Sequence, residues 1–294
     1  MSRILVTGKN GQLGKSIQKL ITNTEQNDDF IFVGREELDL CNESMIDRYF
    51  KDNSFDIIIN CAAYTQVDKA EEEQKLANQV NHIAVSQLAQ IAKNQQAKLI
   101  HISTDYVFDG KNNKPYKETD RTNPISVYGK TKLAGEKAIQ EILPTNATII
   151  RVSWMYSEYG NNFVKTMLRI GKERDEINVI NDQIGSPTYA TDLAKVILQA
   201  IKYKNLKKEN QITQIYHYSN EGKISWYEFA KEIFKIAKVD CKVNPIVSED
   251  YPALAKRPKI VLMNKSKISL RFDIKSKELR ESLECCMIIL KEQQ

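Results

Sequence analysis

An α/β fold, a doubly wound parallel sheet with a smaller C-terminal domain, is predicted for this 294-residue chain by three observations. Apolar runs recur at Ile4–Val6, Phe30–Val33, Asp56–Asn60, Leu99–Ser103 and Ala147–Val152. Stretches of helical periodicity, such as Gln12 to Leu20 and Val80 to Lys93, lie between them, and alternating strand and helix implies parallel strands joined by crossovers. The uninterrupted run Ile57-Ile58-Ile59 suits a central strand covered on both faces. A ligand of such a sheet lies across the carboxyl ends of its strands.

The length accommodates about two domains of roughly 150 residues each. With 41% hydrophobic and 28% charged residues and only eleven glycines and seven prolines, a disordered or fibrous chain is excluded. The first domain is expected over 1–150, with a return segment at about 178–222. The smaller one takes 151–177 and 223–294. Past Arg151 the pattern is less regular, with polar aromatic segments at Trp154-Met155-Tyr156 and Tyr159-Gly160-Asn161-Asn162 and helices at Phe163–Glu173, Ala190–Tyr203 and Trp226–Val239. The Lys-rich stretch Lys204 to Gln211 reads as a solvated loop rather than a binding patch.

A net charge of +5 is too small and diffuse to demand nucleic acid, and an anionic small molecule fits it equally well. No run approaches the roughly 18 apolar residues of a membrane span, and Met1 leads directly into the first strand, so a soluble cytoplasmic protein is expected. The five cysteines form no CxxC pair, and the neighbours Cys285 and Cys286 suit a disulfide poorly; all are expected reduced, buried and inert. His82, His101 and His217 show no ligand spacing, so no metal is expected.

Directly after the first strand comes Thr7-Gly8-Lys9-Asn10-Gly11-Gln12-Leu13-Gly14, a GxxGxxG opening a helix. Gly8 permits the tight turn, Gly11 lets backbone approach a pyrophosphate, and Gly14 allows close packing of the helix. Free N–H groups at the helix start would then hold the anion. The second strand ends in Gly34-Arg35-Glu36-Glu37. An arginine there favours the NADPH phosphate and a carboxylate the ribose of NADH; Arg35 points to NADPH, and Glu36 and Glu37 leave NADH open. Asp39 and Leu40, after a turn, and the small segment Ala63, Tyr64, Thr65, at a strand's carboxyl end beside the glycine loop, are candidate dinucleotide contacts.

Tyr128 and Lys132 are four residues apart, one turn along one face of a helix. A phenol brought from a pKa of about 10 towards neutrality by a nearby cation can give its proton to a carbonyl oxygen as hydride arrives. The strand Leu99–Ile102 delivers Ser103-Thr104-Asp105-Tyr106 to the same sheet edge, where the hydroxyl of Thr104 can stabilise developing negative charge. Taken alone, YxxxK is common on surface helices; Thr104 is what turns it into an acid unit for carbonyl reduction.

This combination of glycine loop, strand-end hydroxyl and YxxxK resembles the extended short-chain dehydrogenase/reductase superfamily, whose sheet is a Rossmann fold. The segments NCAAYTQVDKAE (60–71), STDYVFDG (103–110), YGKTKLAGEK (128–137), RVSWMY (151–156), NNFVKTML (161–168) and NDQIGSPT (181–188) resemble the dTDP-4-dehydrorhamnose reductase family within it. The resemblance runs from the glycine loop to Arg257-Pro258, and STDYVFDG with YGKTKLAGEK is its most specific pairing.

The resemblance implies hydride transfer from NADPH or NADH to carbon 4 of a dTDP-4-keto-6-deoxy-L-sugar, for the rhamnose of surface polysaccharide. Tyr128 would be the proton donor, Thr104 the oxyanion stabiliser and Lys132 the group that tunes Tyr128. Gly11 to Leu13, Asp39, Leu40 and Ala63 to Thr65 would hold the dinucleotide; Thr104, Asp105 and Trp154 would contact the sugar nucleotide. Trp154 can stack on an apolar sugar face or fill the domain boundary. Asn161, Asn162 and Arg257 are further candidates, Arg257 because its planar fork matches a diphosphate, although a surface role suits it as well. Asp182 and Gln183 read as fixing the domain junction.

One departure concerns a magnesium-linked dimer built in some family members by glutamates. Ser16 and Thr191 stand at those positions and supply no carboxylate, which leaves a monomer or a differently built homodimer. Two rivals remain: another nucleotide-sugar 4-ketoreductase, and a non-catalytic regulatory subunit similar to that of methionine adenosyltransferase. The intact Thr104, Tyr128 and Lys132 set speaks against the second.

Overall fold

The computed structural model describes residues 1–23, 27–203 and 212–293; the Lys204 to Gln211 stretch lies outside the described residues. Its centre is a six-stranded, all-parallel sheet of β1 (Arg3–Thr7), β2 (Asp29–Val33), β3 (Ile57–Asn60), β4 (Lys98–Thr104), β5 (Ala147–Val152) and a returning strand, Gln214–Tyr218. Across the sheet the order is β2, β1, β3, β4, β5 and the returning strand. The chain leaves β1 for β2 on one side and then crosses to β3 on the other. That reversal opens a crevice at the carboxyl ends of β1 and β3.

Both sheet faces are covered, which is why the central strands are continuously apolar. Ile57 and Ile59 face one layer, with Leu13 and Ile17 of helix α1 (Gln12–Thr22) and Leu193 and Ile197 of the helix Ala190–Lys202. Ile58 faces the opposite layer, with Ile46 and Phe50 of helix α2 (Glu43–Asp52), Leu88 of the helix Ala84–Asn94 and Ile139 of the helix Val127–Ile142. Fully burying each such side chain contributes about 1.5–3 kcal/mol. A separate core joins the helices Phe163–Glu173, Trp226–Ala237 and Leu279–Glu292 through Met167, Phe229 and Met287.

Where a single helix over Val80 to Lys93 is expected, a chain already α-helical at Gln74–Asn78 passes through a π-helical turn at Gln79–Ile83 and becomes α-helical again at Ala84–Asn94. The wider turn seats buried Asn81, whose amide accepts from the Tyr64 N–H and donates to the Tyr64 carbonyl and to Thr131. Helical periodicity carries no trace of such a turn, because the register shifts by a single residue. The cysteines also differ from expectation. All five are free, but only Cys241 and Cys286 are buried; Cys41, Cys61 and Cys285 are partly exposed, Cys41 and Cys61 because they line the crevice. Ser16 and Thr191 meet where α1 crosses the helix Ala190–Lys202, hydroxyl to hydroxyl at 3.4 Å. Among the described residues no cluster of three or more metal-binding side chains occurs, and no helix is long and apolar enough to cross a membrane.

Candidate active site

The crevice widens into a cleft of about 1210 Å³ that runs from the glycine loop to the aromatic segment after β5. At one end, Gly8 adopts φ +71°, and a Cβ there would lie 2.9 Å from the Ala62 nitrogen, so only glycine lets the loop pass under the end of β3. Gly11 caps α1 with no side-chain hydrogen bond, and the first turn carries no acid. Its amides are therefore free for an anion. Gly14 does not line the cleft: a Cβ there would sit 2.4 Å from the Gly8 carbonyl oxygen, so it presses α1 against the loop.

Gly8, Gly11, Gln12, Leu13, Arg35, Asp39, Leu40, Ala63, Tyr64 and Thr65 all line this half of the cleft. Arg35 is exposed and donates to Asp39 at 3.2 Å. Glu37 is turned away: its carboxylate accepts from the Gly34 N–H at 2.8 Å and pairs with Lys9, and these partners hold its pKa below the usual carboxylate range. The arginine is thus presented to the cleft while Glu37 is occupied elsewhere.

At the other half, Thr104 ends β4 and the helix Val127–Ile142 passes above it. Ser126 starts that helix by accepting from the Gly129 N–H at 3.1 Å. Glycines follow at two points where the helix comes close to a neighbour's backbone. A Cβ on Gly129 would be 2.3 Å from the Tyr106 carbonyl oxygen, and one on Gly135 2.3 Å from that of Asn81. The YGKTKLAGEK pattern therefore seats Tyr128 at the strand end. Its ring lies edge-on to Tyr106, 5.6 Å between centroids. Burial pushes the Tyr128 phenol up to about 12, against a hydrogen bond with Thr104 that favours the phenolate. Asp105, almost fully buried beside them, accepts from the Thr104 hydroxyl at 3.1 Å. Burial raises its carboxyl to about 7.

Lys132 takes a different position from the one the YxxxK reading implies. Its ammonium end lies under the helix, donating to the Ile102 carbonyl at 2.6 Å and 3.2 Å from His101 Nε2. The charge acting on Tyr128 comes from Asp105, which raises its pKa further. Lys132 nevertheless lines the cleft with Thr104 and Tyr128.

Trp154, at φ +46°, stacks on Trp226 with centroids 3.6 Å apart and planes 8° from parallel. Both indoles line the cleft. Asn162 caps the helix Phe163–Glu173 and donates to Gln12 at 3.0 Å, tying the second core to the glycine loop. Arg257 lies outside the lining, its fork engaged by Asp68 at 3.1 and 2.5 Å. Asp182 and Gln183 both bond Ser248, away from the cleft. Sequence reasoning missed Trp226, Asn81 and Glu136. Glu136 had a signal, since it continues the four-residue spacing of Tyr128 and Lys132.

Residues 1–291 match the family described as RmlD substrate binding domain. The chain belongs to that family. Among curated relatives of this RmlD-family chain, the dTDP-4-dehydrorhamnose reductase of Aggregatibacter actinomycetemcomitans is 42% identical over 290 residues, 97% of this chain and 98% of the relative. A crystal structure of a dTDP-4-dehydrorhamnose reductase from Clostridium acetobutylicum superposes with TM-score 0.91 at 41% identity, covering 98% of this chain and 99% of the other. The Bacillus anthracis enzyme of the same name, solved in complex with NADP, gives TM-score 0.90 at 40% identity, with 98% and 99% coverage.

Proposed function

We propose that this RmlD-family chain is an NADPH-dependent oxidoreductase that converts dTDP-4-dehydro-L-rhamnose to dTDP-L-rhamnose, the precursor of rhamnose in surface polysaccharide. The observation that carries the reading is the meeting of Thr104 and Tyr128 at the end of β4, in the same cleft as the glycine loop and Arg35. The names of the relatives and the NADP-bound structure of one of them support it. Residues 1–150 with 178–222 form the dinucleotide-binding part in this reading, and 151–177 with 223–294 the sugar-nucleotide part.

The residues present fit a dinucleotide. A cradle that a Cβ at Gly8 would fill and uncapped amides at the start of α1 suit a pyrophosphate. Arg35, beside them, suits a 2′-phosphate; NADH, which lacks that phosphate, is the weaker substrate. Ala63 to Thr65 and Lys132 would hold the nicotinamide end. Bound NADPH supplies the hydride. Thr104 turns its one hydroxyl hydrogen from Asp105 to the 4-keto oxygen, and Tyr128 delivers the proton held at its hydroxyl as negative charge develops there. Trp154 offers an apolar platform to the sugar, and Asp105 and Asn162 offer polar contacts. Arg257 acts from behind, since its guanidinium also reaches the Tyr106 hydroxyl, and Tyr106 packs on Tyr128. The protein works in the cytoplasm, without nucleic acid, as a monomer or a homodimer.

The test is NADPH oxidation by the purified protein with freshly prepared dTDP-4-dehydro-L-rhamnose, NADH alongside, and the product identified by NMR. Formation of dTDP-L-rhamnose is expected. Dinucleotide binding without turnover would overturn the substrate assignment.

A further inference from the structure

The first residue of α1 serves two sides of the cleft at once. Gln12 follows the capping Gly11, and its backbone N–H lies ahead of the first intrahelical bond, from the Lys15 N–H to the Gly11 carbonyl at 3.1 Å. It therefore belongs to the free amides that suit a pyrophosphate. Its side chain goes elsewhere. Gln12 Oε1 accepts from Asn162 Nδ2 at 3.0 Å and lies 3.0 Å from the Ser157 hydroxyl, while Gln12 Nε2 lies 3.5 Å from the Met155 carbonyl oxygen. Gly160 comes so near that a Cβ on it would lie 3.4 Å from Gln12 Cγ.

Two backbone groups fix which way the Gln12 amide points. Asn162 Oδ1 accepts from the Lys165 N–H at 3.2 Å, so the other corner of Asn162, facing Gln12, is the NH2, which only donates. The Met155 carbonyl only accepts. Gln12 therefore turns its oxygen to Asn162 and its NH2 to Met155, and an apolar side chain of the same length meets neither. The stretch it engages, Ser157 to Asn162, contains no helix or strand, so side-chain bonds place it. Trp154, Met155, Gly160, Asn161 and Asn162 line the cleft there, as does Gln12 itself. Further along the same face of α1, Lys15 lies over the Tyr159 ring, 5.8 Å from its centroid, and Lys19 is 3.8 Å from Glu158; neither lysine lines the cleft.

From this arrangement we propose that Gln12 is a positioning residue for the sugar nucleotide: its backbone meets the dinucleotide, its side chain holds the wall from Trp154 to Asn162, and each ligand tightens the binding of the other. The inference rests on the function proposed above, which gives that wall to the sugar nucleotide. No side chain caps α1, so a bound pyrophosphate is what fixes its first turn. That order passes through the Gln12 amide to the wall, and the second ligand meets a site already arranged. Coupling of this kind is reciprocal and typically amounts to about 5–150-fold in affinity. A tie that merely fastened the two cores together would add stability and leave the two ligands independent of each other.

The experiment measures the dissociation constant of dTDP by titration calorimetry with and without saturating NADP+, two ligands that undergo no turnover together. The readout is the ratio of the two constants, which a direct loss at either site leaves unchanged. In the wild type dTDP is expected to bind at least about fivefold more tightly with NADP+ present. Gln12→Met keeps the length of the side chain and removes both polar corners, and should bring the ratio to within about twofold of one. Should that variant fail to fold, Ser157→Ala, which removes one bond to Gln12, must lower the ratio at least about twofold. A ratio near one in the wild type, or the wild-type ratio kept in the variant, overturns the inference. If dTDP does not bind at all, the function reading fails on its own, and tryptophan emission still decides the coupling. The chain has two tryptophans, Trp154 and Trp226, and both line the cleft. 2′-Phospho-ADP-ribose, which carries the pyrophosphate but no nicotinamide, should shift their emission in the wild type and not in Gln12→Met; emission unmoved in the wild type, or moved equally in the variant, overturns the inference.

Discussion

The Glu136 carboxylate and the Arg151 guanidinium meet at 2.6 Å with both side chains at most 2% exposed. Ser103 donates to the same carboxylate at 2.5 Å, and Ser103 and Arg151 are register partners on β4 and β5. The Glu136 carboxylate thus fastens the helix of Tyr128 to β5 through Arg151 and to the strand of Thr104 through Ser103. Removing one member of a buried pair leaves the other charge uncompensated, which costs about 3–5 kcal/mol. Glu136→Gln is expected to lose that much in denaturant unfolding. Ser103→Ala, which removes one hydrogen bond to the charge, should lose about 1.5–3 kcal/mol. A loss for Glu136→Gln no larger than that for Ser103→Ala would show that the ion pair does not hold the helix in place.

Tyr128→Phe deletes the proton that the 4-keto oxygen is to receive and leaves the ring against Tyr106. Loss of a general acid lowers turnover by about 10²–10⁴-fold. The expected outcome is a fall of that size in kcat with the unfolding midpoint nearly unchanged. Turnover within a few-fold of wild type would remove Tyr128 from the acid role.

The strands and most helices are readable in the chain because their burial is periodic: the Ile57-Ile58-Ile59 run has a residue for each layer, and Ala147–Val152 and Phe163–Glu173 begin and end where expected. Local motifs likewise bring Thr104, Tyr128 and the glycine loop into one cleft. What escapes a linear reading depends on partners distant in sequence. Arg257 suits a phosphate by its chemistry, yet Asp68, 189 residues away, takes up its fork. Trp226 reaches the cleft only by stacking on Trp154 across 72 positions. His101 reads as one polar residue in an apolar strand; the side chains that flank it, Asn60 and Lys132, lie 41 and 31 positions away in sequence.

Dinucleotide preference rests on Arg35 and on the engagement of Glu37 by Lys9 and Gly34. Arg35 exchanges its contact with Asp39 for a 2′-phosphate, which a guanidinium binds as a fork. Arg35→Ala is therefore expected to raise the KM for NADPH by about tenfold or more, the worth of about 1.4 kcal/mol from a charge-assisted hydrogen bond. The KM for NADH should move little. Equal changes for the two dinucleotides would refute the assignment.

Asp105 makes stability depend on pH in a direction opposite to that of the carboxylates whose partners hold them low, such as Asp39, Asp68 and Asp182. Burial raises its folded pKa to about 7, against about 3.9 in an unfolded chain. Between about pH 4 and pH 7 the folded protein therefore keeps a proton that the unfolded chain has lost, and stability falls as pH rises through that window. Asp39, Asp68 and Asp182 are shifted downward by their partners, so their contribution is present above their unfolded values and lost as pH falls. Comparing wild type with Asp105→Asn cancels those carboxylates and isolates the one at 105. The amide keeps an acceptor for Thr104 and never ionises, so the variant should match the wild type near pH 4 and exceed it progressively up to pH 7, by at most about 4 kcal/mol. Unfolding midpoints measured across that range decide it: a difference that stays constant with pH would mean that Asp105 ionises in the folded protein as easily as in the unfolded one.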